Sequence, residues 1–172
     1  MTAIDWRCYL ITAGTSRATV ERAAAAAAAG AGVVQVRAKD ATTRELLELS
    51  TMVARAVADL APNTRVLVDD RADVAWAARR AGEPVHGVHV GWDDLPPRDV
   101  RALLGPDAII GLTTGTSALV KAAEELADVI ITWAVVRSGT PPPRTQAGSR
   151  SACRGTHLLW LQHGCPWSRS AT

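Results

Sequence analysis

Short apolar runs alternating with longer helical ones limit what this chain can fold into more than any other feature. The runs fall at residues 7–12 (RCYLIT), 33–37 (VVQVR), 65–69 (RVLVD), 85–91 (VHGVHVG) and 108–113 (AIIGLT), and 129–131 (VII) begins a sixth. Residues 16–29, between the first two, hold seven consecutive alanines. Such a run favours helix and lets the helix lie close on a sheet. Residues 42–60 place Leu46, Leu49, Val53 and Val57 on one helical stripe, and helices are also expected at 72–81, 97–104 and 116–126. Apolar strands that alternate with helices are parallel and buried on both faces. The expectation is an α/β fold of about five and a half βα units, either a doubly wound open sheet or a (β/α)8 barrel.

The 172 residues suffice for one domain with a sizeable core. With no Phe and one Tyr, that core must come from Ala, Val and Leu. No apolar stretch approaches the roughly 20 residues of a membrane span, and the early acid in MTAIDWRCYLITAG makes a poor signal peptide. Three cysteines without a CxxC pair suit a reduced compartment. The chain is therefore expected in the cytoplasm, without a membrane partner. Its charge is uneven. Residues 1–128 carry 14 Lys/Arg against 17 Asp/Glu, whereas 129–172 carry five Arg and no acid. Those arginines are scattered among Pro, Gly and Trp and form no stripe, so no nucleic-acid partner is expected.

Function in parallel α/β folds collects at the carboxyl ends of strands, and the polar residues here gather at those ends. The second strand runs into Gln35, Arg37 and Lys39, spaced by two and so on one face. The third ends in Asp69-Asp70, the fourth in Gly91-Trp92-Asp93-Asp94 and the fifth in Thr113-Thr114. Taken singly, each Asp before a helix reads as an N-cap, Thr113–Thr116 as a cap for the next helix, and His86 and His89 as packing groups. Taken together, cations and carboxylates at one rim suit a magnesium-bound diphosphate. Mg²⁺ takes one or two carboxylates plus phosphate oxygens, and Arg and Lys neutralise the remaining charge.

The segments VVQVRAKD, LVDDRADVA, GVHVGWDDLPP and IIGLTTGT, in this order and spacing, resemble the motifs of thiamine phosphate synthases over about residues 7–130. The resemblance implies a TIM barrel, partial here and followed by an irregular C-terminal tail. It implies an enzyme, a transferase that joins hydroxymethylpyrimidine diphosphate to thiazole phosphate, giving thiamine phosphate and pyrophosphate. Gln35, Arg37 and Lys39 match the segment that holds the pyrimidine and its diphosphate, with Arg37 and Lys39 in the catalytic role. Asp69 stands where Asn is frequent beside the pyrimidine. Asp70 and Asp94 match the ligands of Mg²⁺, and Thr113 the Ser/Thr that touches the diphosphate. Trp92 replaces a usual Gln, Gly115 a common His, and ITAGT lacks an acid often found after the first strand. A thiazole tautomerase of the same fold family would have no diphosphate to hold, and a non-catalytic remnant would at most bind magnesium pyrophosphate weakly.

Two parts are expected: a partial barrel over 1–130 and an atypical basic tail over 131–172. Where the family continues with Asp-Tyr-Leu-Gly and later Thr-Pro-Thr-Lys, this chain reads ITWAVVRSGTPPPRTQ. Codons ATC ATT ACC TGG for residues 130–133 become Ile-Asp-Tyr-Leu when one G is restored after the first. In that frame Thr140 to Arg144 can yield Thr-Pro-Thr-Lys. Residues 131–172 are thus expected to be an out-of-frame translation, disordered and without selected chemistry. Cys153, His157, His163 and Cys165 match no standard zinc spacing. Open sheet edges could be covered by homo-oligomerisation, and little catalysis is expected from this polypeptide.

Overall fold

A computed structural model describes residues 4–126, 132–136 and 158–162. Five βα units appear in succession: β1 (Tyr9–Ile11), α1 (Arg17–Ala28), β2 (Val33–Val36), α2 (Thr43–Leu60), β3 (Arg65–Asp69), α3 (Ala72–Arg80), β4 (Gly87–Val90), α4 (Pro97–Leu104), β5 (Ile109–Thr114) and α5 (Ser117–Glu124). Two further strands follow, β6 (Thr132–Val136) and β7 (Leu158–Gln162). The sixth strand thus lies just beyond the 129–131 expected to begin it, residues outside those described. The quartet Cys153, His157, His163 and Cys165 also lies outside them.

The sheet order is β1-β2-β3-β4-β5-β6-β7. A doubly wound sheet reverses its strand order at a switch point, whereas a barrel adds each strand beside the last. The order here is the barrel's. β1 to β6 are all parallel, in register pairs such as Gln35 with Leu67 and Val68 with Val88. β7 pairs antiparallel to β6, which no strand of a (β/α)8 barrel does.

Alternation along the strands sorts the core into two faces. Val34, Val36, Val66, Val68, Val88, Val90, Ile110 and Leu112 pack against Leu46, Leu49, Val53 and Val57 of α2 and the apolar faces of the other helices. Val33, Leu67 and Ile109 point the other way and pack with Ile4, Trp6 and Tyr9. The inner face is concave. In a flat sheet β1 and β4 would be about 14 Å apart, three strand spacings, yet the rings of Tyr9 and His89 meet with centroids 6.4 Å apart.

Small residues permit this closeness. A Cβ on Gly87 would sit 1.9 Å from the Ile109 carbonyl oxygen, and one on Gly111 would sit 2.3 Å from His89 Nδ1. The alanines Ala23, Ala24 and Ala27 of α1 are buried, as the alanine run predicts. α2 opens on a capping box, in which the Thr42 hydroxyl accepts from the Glu45 N–H and the Glu45 carboxylate accepts from the Thr42 N–H. Among the described residues no helix is long and apolar enough to cross a membrane.

Candidate active site

Inward positions on β2, β3, β4 and β5 change from apolar to polar as the strands approach their carboxyl ends. Val33 gives way to Gln35 and then Arg37, Leu67 to Asp69, Gly87 to His89, and Ile109 to Gly111 and Thr113. The lower layer is the hydrophobic plug; the upper layer is the site.

Asp69 lies at its centre, only 7% exposed. It accepts hydrogen bonds from Gln35 Nε2 and from Arg37 Nη1. Arg37 Nη1 also lies 3.7 Å from Asp70 Oδ2, so one guanidinium serves both carboxylates. Thr12 fixes the Arg37 backbone, its hydroxyl accepting from the Arg37 N–H at 3.0 Å just past the end of β1. Burial pushes the Asp69 carboxyl above its ordinary range, with Arg37 opposing.

Asp70 would point away from Asp69 if the strand simply continued. Instead its φ is 60°, in the left-handed region, and its N–H donates to the His89 carbonyl at 2.7 Å. This breaks the alternation and keeps Asp70 within reach of Arg37. Asp and Asn tolerate that conformation better than other non-glycine residues, and such strain gathers at functional sites. The Asp70 carboxyl is pushed up to about 6, first by burial and then by the charges of Asp69 and Asp94. Asp94 is held by the Gly91 N–H, which donates to its Oδ2 at 2.7 Å.

The capping alternative does not describe these acids. The N-cap of α3 is Arg71 and that of α4 is Pro96, neither with a side-chain cap bond. Thr116 caps α5 by accepting from the Leu119 N–H, leaving Thr113 to a different partner. Thr113 Oγ1 lies 2.8 Å from His89 Nε2. His89 is itself buried, and burial followed by the charge of Arg37 lowers its pKa to about 4. Thr113 is therefore tied to His89, whose ring feels the charge of Arg37.

Lys39 is exposed on the loop after β2. It lines a cleft of about 270 Å³ together with Ala38, Ala41, Leu46, Asp69, Asp70 and Arg71. Arg71 is braced there, donating through Nε to Asp73 Oδ1 at 2.8 Å and through Nη2 to Thr43 Oγ1 at 2.8 Å. Gln35, Arg37, Lys39, Asp69, Asp70 and Asp94 thus converge on one rim. The residue pattern did not single out Tyr9, Thr12 or Arg71. Arg71 follows the Asp-Asp pair directly and could have been noticed, whereas Tyr9 sits on a strand of three residues too short to show alternation and Thr12 lies just past its end.

The donor set can be tested against a divalent cation. Among the described residues no group of three or more His, Cys, Asp or Glu side chains is disposed to hold a metal alone. Two crowded carboxylates, Asp70 and Asp94, are present, and their mutual repulsion is what a cation relieves. That matches Mg²⁺ shared between protein carboxylates and phosphate oxygens. The same rim carries the cations Arg37, Lys39 and Arg71, of which Arg37 is paired with Asp69 and Arg71 with Asp73. The arrangement can hold a chelated anion.

A family model described as thiamine monophosphate synthase matches residues 8–157. The thiamine-phosphate synthase of Corynebacterium jeikeium is 58% identical over 128 residues, covering 74% of this chain and 58% of that protein. That of Corynebacterium efficiens is 59% identical over 127 residues, covering 73% of this chain and 57% of that protein. A solved thiamine phosphate pyrophosphorylase from Pyrococcus furiosus superposes with a TM-score of 0.59 at 25% identity, covering 74% of this chain and 59% of that one. The chain thus spans a little under three fifths of the length of the curated relatives it matches.

Proposed function

The chain belongs to the thiamine monophosphate synthase family, and from that premise we propose that its strand-end cleft is the diphosphate half of a thiamine-phosphate synthase site. The reaction couples hydroxymethylpyrimidine diphosphate with thiazole phosphate. The carbon–oxygen bond to the diphosphate breaks, pyrophosphate departs with the bonding pair, and the thiazole nitrogen supplies the pair that captures the pyrimidine cation. One observation carries the reading. A single guanidinium, Arg37, contacts both Asp69 and Asp70, and Asp94 stands close enough to raise the Asp70 pKa. Such a cluster serves a charged leaving group better than a nucleophilic mechanism.

In this reading Arg37 and Lys39 neutralise charge that develops on the departing pyrophosphate, a term realised mostly in the transition state. Gln35 and Asp69 form the floor beside the pyrimidine. Thr113, aligned by His89, donates to the diphosphate. Asp70 and Asp94 would hold Mg²⁺, which when bound withdraws charge from phosphate oxygens. The substrates are small molecules, and a cytoplasmic location and a homo-oligomer remain parts of the same reading.

A second reading is favoured by the antiparallel β7. A complete barrel places its usual phosphate site after strands seven and eight, and β7 cannot serve as either. A polypeptide of this sequence would then bind magnesium pyrophosphate with little turnover. We propose, with it, that residues 131–172 are read out of frame. The family match continues to residue 157, across that point, so the codons around position 130 decide: the frame proposal fails if no single inserted G restores Asp-Tyr-Leu-Gly. Product analysis of the purified 172-residue chain with both substrates and Mg²⁺ separates the two readings. Normal thiamine phosphate formation supports the synthase reading and overturns the remnant; pyrophosphate binding without product supports the remnant.

A further inference from the structure

Tyr9 is the chain's one tyrosine, and the sequence pattern gave it no role. Its hydroxyl donates to Gln35 Oε1 at 2.8 Å. Its ring lies nearly parallel to Trp6, with centroids 6.4 Å apart and planes 14° apart. The same ring meets His89 edge-on, at 6.4 Å and 73°. Tyr9 therefore touches both arms of the site, one running through Gln35 to Asp69 and Arg37, the other through His89 to Thr113.

A glutamine amide can sit in either of two senses, related by a half turn. With Nε2 toward Asp69, the amide donates to a carboxylate oxygen. In the reverse sense Oε1 would face that oxygen, two acceptors in contact in a buried place, which costs the full desolvation of both. A phenol could accept from Nε2 as readily as it donates to Oε1, so packing alone leaves the Tyr9 end indifferent. The Tyr9 hydroxyl as donor and the Asp69 carboxylate as acceptor agree on one sense only, and a chain of such bonds strengthens its members.

We infer that Tyr9 is a positioning residue, whose hydroxyl, by donating to Oε1, anchors the Gln35 amide in the one sense that Asp69 selects, so that the site floor presents a fixed order of donors and acceptors. The inference rests on reading the strand ends as a ligand site. It does not rest on turnover. The ring provides packing and the hydroxyl provides direction, so Tyr9→Phe separates the two. A residue that merely packs would lose nothing at Gln35 when only the hydroxyl is removed.

The test uses the 172-residue chain labelled with ¹⁵N, the Gln35 side-chain amide being assigned with a Gln35→Leu variant. In Tyr9→Phe both Gln35 amide protons shift while the backbone spectrum stays that of the folded chain. The dissociation constant for 4-amino-5-hydroxymethyl-2-methylpyrimidine rises about three- to tenfold, the range expected for one neutral hydrogen bond. That for magnesium pyrophosphate changes by less than about twofold, since Arg37, Lys39, Asp70 and Asp94 are untouched. Unmoved Gln35 amide protons in a folded Tyr9→Phe chain overturn the inference. If that variant does not fold, the Raman Fermi doublet of the single tyrosine in the wild-type chain decides instead: a hydroxyl that donates supports the inference and one that accepts overturns it. If the wild-type chain binds no aminopyrimidine, the functional reading fails, and the Gln35 resonances still decide the role of Tyr9.

Discussion

Asp70 and His86 show how single residues hold opposite positions on charge. Asp70 keeps a left-handed backbone and a carboxyl raised to about 6, first by burial and then by the charges of Asp69 and Asp94. His86, at the other end of β4, is a basic group that the fold keeps neutral. Its Nδ1 accepts from the Val66 N–H at 3.0 Å, and burial with the charges of Arg65 and Arg79 lowers its pKa from 6.5 to about 4. The sign follows from proton uptake. Between about 6.5 and about 4 the unfolded chain binds a proton at this residue and the folded chain does not, so its contribution to folding weakens as pH falls through that window. In an NMR titration the His86 ring signals should hold still until the pH nears about 4; a midpoint at the ordinary histidine value would show that the burial argument is mistaken.

Helices and strands place these residues, and most were legible from the chain. Alternation along β2 predicts that Gln35, Arg37 and Lys39 share one face; Gln35 and Arg37 do meet there, both bonded to Asp69, whereas Lys39 lies past the end of β2 on an exposed loop. The start of α2 was readable from Thr42 and Glu45, whose capping box also ends the loop that carries Lys39. Thr42→Ala should cost about 1 kcal/mol of stability, measured by denaturant unfolding; no loss would mean that the box does not hold this helix end. Asp70 was less legible by pattern, because its place depends on a positive φ that breaks alternation. Tyr9 was illegible: its contact with His89 exists only because the sheet curls, and curl is a property of four strands together. Gly111 makes room for that contact. Gly111→Ala puts a Cβ 2.3 Å from His89 Nδ1, and overpacking of this kind typically costs about 1–3 kcal/mol. A thermal melt like the wild type's would argue that the His89 ring can move aside freely.

At the scale of the molecule, an apolar layer against the helices supports the curved sheet, and its inner face is apolar below and charged above. The curvature brings residues from strands two to four into one cluster, and the motifs in the sequence fall on that cluster. Sequential strand order settled which α/β architecture this is, a point that alternation of strands and helices had left open. β7 was not foreseen, since a strand pairing antiparallel to β6 has no place in a barrel built of βα repeats. The central claim is that the clustered cations and carboxylates grip a metal-chelated diphosphate. Titration calorimetry of the 172-residue chain with pyrophosphate, with and without Mg²⁺, tests it most directly when repeated on Asp70→Asn, a change that keeps the left-handed backbone acceptable. Binding that requires Mg²⁺ and weakens at least about tenfold in Asp70→Asn, a loss of roughly 1.4 kcal/mol, is the predicted result. Equal heats for both chains, with or without the metal, would contradict it.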